Sequence, residues 1–381
     1  MKKVLAILLV VMMFSSVAFA TNASLGAKGG TPVDATLDND QIIYVNPALL
    51  PSFAGIVATE GGINTLVGPS VSAYTILDLG MGVLALSGSP VSPFPGVSIP
   101  NIGGVAGFTT GYTANNFGVA YAYDLGDLTA GIGVLYGENS TTTEVVESGV
   151  APNKITVGNM NLDVTLGVAV EGDMPIEAAL SLMLPSSSSK EELYDAGTTD
   201  INNELDDVAS GLGIGLSLRT VISSWAIALK GSFLSTNREE TDKTDSDNDQ
   251  AFTSAGEHDI NTWTDSALDI NLIAAYQLAV SDTINFIIGT GIDFGTDQSQ
   301  LSKSEDVVAG TETYNTATSA NVMTINIPFY ISGVINMGKL GANDNFTWDL
   351  TFGVSRPVIT LVNTSNNDVA AADADLTETD T

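Results

Sequence analysis

Cysteine is absent from the chain, which excludes disulfides, thiolate metal sites and a lipid-modified cysteine. Histidine occurs once, as His258 between Glu257 and Asp259 in a polar stretch, so no histidine stands on a strand face beside a serine as a hydrolase would need. The sequence reads as that of a non-enzyme. Positive charge is scarce: 12 Lys and Arg stand against 44 Asp and Glu, for a net charge of −32. That balance argues against nucleic acid and anionic lipid as partners. Beyond the first twenty residues no run of about 18 apolar residues occurs, so the sequence offers no transmembrane helix. Mean hydropathy is nevertheless positive, at +0.24.

At the amino end Lys2 and Lys3 precede an apolar run over residues 4–14, and Ala18-Phe19-Ala20 supplies small residues at a cleavage position. This predicts a secretory signal peptide over residues 1–20, cut after Ala20. An exported, apolar chain without spanning helices can carry its hydrophobicity on alternate residues of many strands, as a closed barrel in lipid does.

Residues 159–171 alternate without a break. Met160, Leu162, Val164, Leu166, Val168 and Val170 fall on one side, and Asn159, Asn161, Asp163, Thr165, Gly167, Ala169 and Glu171 on the other. Period two is a β-strand, and about 9 to 11 such residues cross a membrane when tilted. Gly172-Asp173 turns the chain, and residues 174–184 run back with the same alternation. Strands of a soluble sandwich are shorter, with turn signals every 8 to 12 residues or so.

The same units recur. Residues 21–52 lack sustained alternation and read as an irregular hatch. Six shorter strands follow, near 53–60, 70–78, 81–87, 103–112, 116–124 and 128–136, with a proline-rich loop over 88–101. Eight longer ones end near residue 354. Polar stretches over 185–207, 235–264 and 295–320 alternate with tight turns at Gly172-Asp173, Ile222-Ser223, Ser281-Asp282 and residues 338–345. Long loops on one side and short turns on the other are the pattern of outer-membrane barrels. The prediction is an all-β protein, a transmembrane antiparallel barrel of about 14 strands over residues 53–363, plugged by the amino-terminal hatch. Residues 364–381 read as an acidic disordered tail. Many such barrels end in an aromatic residue that the assembly machinery reads, and this chain ends in Asp380-Thr381. Either the insertion signal is internal, within 348–362, or a different signal is read, or the barrel reading fails.

The octet Ile43-Tyr44-Val45-Asn46-Pro47-Ala48-Leu49-Leu50 stands just before the first strand. It resembles the amino-terminal signature of the outer-membrane long-chain fatty-acid and hydrocarbon transporters of the FadL/TodX type. The resemblance implies a hatch carrying Asn46, Pro47 and Ala48 inside a fourteen-stranded barrel of the bacterial outer membrane. It also implies passive uptake of a hydrophobic small molecule, with outer-membrane lipid as the other partner. A general cation-preferring porin and a structural or secretion-associated barrel remain open. In physical terms Pro47 locks its own backbone and holds Asn46 extended, while the Asn46 amide can satisfy turn backbone.

On the polar face, Asp124, Asp163, Glu171, Glu177, Asp269, Asp293 and Asp349 are the acids, and Arg219 and Lys230 the strand-borne bases. They would form a lumen charge network or simply hold the wall. Trp225, Trp348 and Tyr276 are candidates for aromatic girdles. Asp245, Asp247 and Asp249 place oxygen ligands at alternate positions as a calcium loop does. Gln250 and Gly256, however, stand where such a loop needs glycine and glutamate, so a solvated acidic loop is the main reading. No other cofactor is expected.

Overall fold

The computed structural model describes residues 45–55, 57–64, 68–88, 117–145, 153–194, 201–244, 258–281, 284–309, 311–314, 319–339, 347–367 and 379–380. A 3-10 turn at Pro47–Phe53 precedes strands β1 (Val57–Asn64), β2 (Gly68–Asp78), β3 (Val83–Gly88), β4 (Phe117–Asp124) and β5 (Leu128–Val145). The longer strands β6 (Asn153–Val170), β7 (Ile176–Tyr194), β8 (Ile201–Ile222), β9 (Trp225–Thr244), β10 (His258–Ser281) and β11 (Ile284–Asp306) follow. After the short β12 (Thr311–Tyr314) come β13 (Ser319–Lys339), β14 (Thr347–Asn367) and the two-residue β15 (Thr379–Asp380).

All belong to one sheet, in which each strand pairs antiparallel with its neighbour in the chain; β12 pairs only with the outer end of β11, and β13 pairs β11 directly. Among the described residues no pairing joins β1 to β14. Turns on one side are tight and locally encoded. Gly172 (φ +152°) closes β6 to β7, Ser223 (φ 56°) closes β8 to β9, and Gly80 and Gly126 donate their amides to Asp78 and Asp124 in matching turns.

Along β6 to β8 the burial pattern is inverted relative to a protein in water. Along β8, Leu212, Ile214, Leu216 and Leu218 are exposed, while Gly213, Gly215, Ser217 and Arg219 are buried. The same holds on β6, where Leu166 and Val168 are exposed and Asn161, Asp163 and Thr165 buried. A sheet that hides its polar side and shows its apolar side has curled around the polar one, and its outer face suits an apolar solvent. On β8 the outward apolar residues run from Leu212 to Ile222, about 33 Å of strand, or roughly 25 Å of height at a tilt of about 40°, the thickness of an outer-membrane apolar band.

Several expectations need correction. The polar stretches 185–207, 235–264 and 295–320 are largely strand: β7 continues to Tyr194, β8 starts at Ile201, β9 reaches Thr244, β10 starts at His258, and β11 reaches Asp306. Ladder hydrogen bonds do not need apolar side chains, and Ser, Thr and paired charges sit on pleated backbone as well as Leu does. The first strand begins at Val57, because Phe53 ends the 3-10 turn. The expected strand at 103–112 lies outside the described residues, and β3 pairs directly with β4, Leu84 opposite Tyr121. In the expected disordered tail, β14 runs to Asn367, and Thr379 and Asp380 pair with Thr364 and Asn363.

Candidate functional site

The enclosed face of the sheet carries two kinds of lining. Its first part is apolar and holds the amino-terminal segment. Asn46 is extended (φ −141°, ψ 96°), as a residue before proline should be, and caps the 3-10 turn by accepting the Ala48 amide at 3.1 Å. Its side-chain Nδ2 donates to the Val168 carbonyl on β6 at 3.2 Å, 122 residues away in sequence. Wall glycines receive this segment. A Cβ on Gly131 would lie 2.5 Å from the Ala48 nitrogen, and one on Gly167 would collide with the Asn46 side chain. Beyond the motif, fully buried Leu50 packs with Ile76, Val83, Ala85, Ala120, Ala122 and Leu135, and Phe53 packs against them. Asn46, Pro47 and Ala48 are thus all buried against the enclosed face. Of the expected hatch, residues 21–44 lie outside the described residues.

The second part, from β6 onward, is mixed: polar groups flank an apolar cluster of Ala228, Ile273, Ala275, Ile287 and Tyr330 on β9, β10, β11 and β13. Arg219 and Glu177 face each other across β7 and β8, and Arg219 Nη1 donates to Glu177 Oε2 at 3.0 Å and Oε1 at 3.3 Å. Lys230, on the other arm of the Arg219 hairpin, lies within electrostatic reach of Asp269, which also faces Asp293 and Asp297. Asp163 is buried between Leu135 and Met183 in the ladder.

Other expected lumen acids lie elsewhere. Glu171 is exposed at the tight-turn rim, where the strand ends before it can face inward, and Asp124 is exposed and spends a carboxylate oxygen on the Gly126 amide. The side chain of Asp349 and the acidic residues Asp245, Asp247 and Asp249 lie outside what the structure describes. Among the described residues no group of three or more His, Cys, Asp or Glu is arranged to hold a metal ion.

Sequence reading missed a buried polar layer on β8 to β11, where the outward residues are mostly polar (Asn237, Glu239, Thr264 and Gln298) and β8 adds the exposed Val208. Arg238 is fully buried, with its guanidinium carbon 4.9 Å from the centre of the Trp263 ring. Its Nε lies 3.8 Å from Asp207 Oδ1, an ion pair beyond hydrogen-bond distance. Asp265 accepts a hydrogen bond from Ser299. Among the described residues no hydrogen-bond partner meets the Arg238 Nε, Nη1 and Nη2, both Asp207 oxygens, Asp265 Oδ2 or Trp263 Nε1. Each such group costs about 1–3 kcal/mol when left dry. The missed signal was parity: Asp207 and Arg219 share the odd positions of β8, so the enclosed face continues through residues that look like loop.

On the outward face at the far ends of the strands, Lys243 donates to Glu204 at 2.7 Å, and Lys190 lies 3.2 Å from Glu204 and 3.0 Å from Glu192. At the tight-turn end, Trp225 and Tyr276 face each other with ring centroids 5.1 Å apart, and Trp225 is half exposed. At the opposite boundary Tyr136 points its hydroxyl to Glu138 at 2.7 Å.

No protein-family model matches the chain, and no curated protein matches it. Among solved structures, the ferric yersiniabactin uptake receptor FyuA from Yersinia pestis is similar, with 10% sequence identity and a TM-score of 0.37. The match covers 81% of this chain and 51% of that one, so the chain spans about half the receptor's length.

Proposed function

We propose that the protein is a closed β-barrel of the bacterial outer membrane that lets hydrophobic small molecules pass without an energy source, with the segment around Asn46, Pro47 and Ala48 as its hatch. The observation that carries this reading is the apolar outer face about as tall as a membrane band, with buried polar side chains behind it along β6 to β8. The hydrophobic substrate class rests on the resemblance of the Asn-Pro-Ala segment, and the apolar lining around Leu50 and Phe53 supports it. Tyr136 at one boundary and the Trp225–Tyr276 pair at the other fit aromatic girdles.

A second reading has its own observation. On the enclosed face the acids Asp163, Glu177, Asp207, Asp265, Asp269, Asp293 and Asp297 outnumber the bases Arg219, Lys230 and Arg238 among the described residues, which suits a cation-preferring pore.

One experiment separates the two. Deleting residues 21–45 should leave the barrel inserted while raising planar-bilayer conductance and altering uptake of a labelled fatty acid. A variant that inserts normally with conductance and uptake both unchanged sinks the hatch assignment. Large, stable cation-selective conductance in the intact protein favours the porin. Recovery of the mature chain in soluble form without detergent rules out the barrel itself.

A further inference from the structure

Passage through the barrel gives no role to a notch on its outer wall. The notch is a cavity of about 340 Å³ between β8 and β9, open to the outside, and its volume falls in the range of about 300–1,000 Å³ for small-ligand sites. Three successive rungs of the β8–β9 ladder build it: Ile214 opposite Phe233, Leu212 opposite Ser235, and Ser210 opposite Asn237. All six side chains lie on the outward face, where Leu212, Ile214 and Phe233 are each about half exposed. Side-chain size makes the depression. Ser210 and Ser235 are short residues set beside Leu212 and Phe233, and the residue opposite Ser235 on β10 is again a serine, Ser266.

The order of the rungs narrows the occupant. The lowest is wholly apolar and continues the outward run that descends to Ile222, the middle one joins leucine to serine, and the upper one offers a hydroxyl and an amide. No charged side chain lines the notch, in a chain with 44 acids and 12 bases. The first charge on the loop side of it is Glu239, opposite Val208, and the outward lysines farther along are held, Lys190 by Glu192 and Lys243 by Glu204. An anion would therefore meet a carboxylate before it met a free cation. A second copy of the chain would bring another convex wall, which spans a depression rather than filling it. A flexible apolar chain that ends in an uncharged polar linkage matches all three rungs. Its methylenes lie along Ile214, Phe233 and Leu212, and an ester or amide carbonyl accepts from the Ser210 or Ser235 hydroxyl or the Asn237 amide.

We propose that this notch holds one acyl chain of a membrane phospholipid whose headgroup carries no net charge, with the carbonyl that joins chain to headgroup at the Ser210–Asn237 rung. The proposal rests on the outer-membrane barrel reading, which sets lipid against this face. It adds a lipid held at a defined place, where the wall passes from the polarity of hydrocarbon to that of the headgroup region.

The test starts from the full chain in vesicles of phosphatidylcholine mixed equally with phosphatidylglycerol of the same acyl chains. Native mass spectrometry after transfer to detergent should show one phosphatidylcholine retained per chain. Ser235→Phe, which fills the notch, should lower the retained fraction about tenfold, and Ser210→Leu serves in its place if that variant fails to fold by circular dichroism. Val134→Phe, outward on β5 and three strands away, should leave retention unchanged. A wild type that retains no lipid overturns the site, as does undiminished retention in a folded notch-filling variant or a preference for phosphatidylglycerol. A wild-type oligomer that Ser235→Phe converts to a monomer overturns it in favour of a second copy. Quenching of Trp225 by brominated lipid in the same vesicles tests the barrel reading separately. Quenching without retained lipid sinks the notch alone, and absence of quenching sinks the membrane face on which it rests.

Discussion

Gly131 on β5 lies so close to Ala48 that a single added methyl would stand 2.5 Å from the Ala48 backbone nitrogen and equally close to the Pro47 carbonyl carbon. The amino-terminal segment is therefore keyed to the wall by the absence of a side chain. Gly131→Ala should force the segment off the wall at a cost of about 1–3 kcal/mol, the range for overpacking. The expected outcome is a higher open-channel leak with unchanged membrane insertion, measured in planar bilayers; Gly133→Ala, whose Cβ would find only ordinary contacts, is the control.

Asn46 holds the same joint by two hydrogen bonds, one to its own turn and one to Val168. Asn46→Ala loses both and should destabilise the segment by about 1–2 kcal/mol. Asn46→Asp keeps the cap but sets a buried carboxylate oxygen against the Val168 carbonyl, so it should disrupt the segment at least as much as Asn46→Ala. Limited proteolysis near Phe53 in detergent should cut both variants faster than the wild type; equal cleavage in all three counts against the joint.

Arg219 is buried against Glu177, so truncating one partner strands the other. Arg219→Met should cost about 3–5 kcal/mol in urea-induced unfolding from micelles, the range for breaking a buried pair. The Arg219→Met, Glu177→Gln double variant should recover much of that loss. A double variant no more stable than Arg219→Met would show that the two side chains do not act as a pair.

At the outward ends of β7 to β9, the hydrogen bond from Lys243, and after it that from Lys190, hold Glu204 below the ordinary glutamate range against the effect of partial burial. Lys190 is held above the ordinary lysine range, by Glu192 first and then Glu204. The lowered carboxylate contributes stability above its unfolded pKa and loses it as pH falls through the folded value. The raised ammonium contributes below the ordinary lysine pKa and loses it as pH rises through the folded one. Hydrogen exchange at residues 190–194 and 240–244 should therefore be slowest near neutral pH after correction for intrinsic rates, and Lys243→Met should remove most of the acid-side dependence.

Trp225 faces outward at the tight-turn boundary and Trp263 inward. In vesicles of brominated lipid, a protein with Trp225 as its one tryptophan should be quenched strongly and one with Trp263 alone hardly at all. Equal quenching would contradict the placement of the apolar face in lipid.

Much of the sheet was readable from residues alone, and its gaps have physical causes. The hairpin of β6 and β7 announced itself through thirteen alternating residues and Gly172. The outer halves of β7 to β11 did not, since Ser186 to Ser189 or Asp242 to Thr244 carry the composition of loops, and only their pairing with equally polar neighbours makes them strand. Asp124 and Glu171 were assigned inward by parity, but a turn ends the pleat at both places, and parity loses its meaning there.

What the sequence determined by itself is local: which residues share a face, because the pleat has a period of two, and which side carries tight turns, because Gly80, Gly126 and Gly172 accept backbone angles that other residues resist. Tertiary structure alone decided which faces meet. Asn46 reaches Val168 and Arg238 stacks on Trp263 across intervals of sequence that no periodicity spans, and their meeting depends on the register of successive strand pairs. Register accumulates strand by strand, and a slip of one residue in any pair would turn an enclosed charge to the outside.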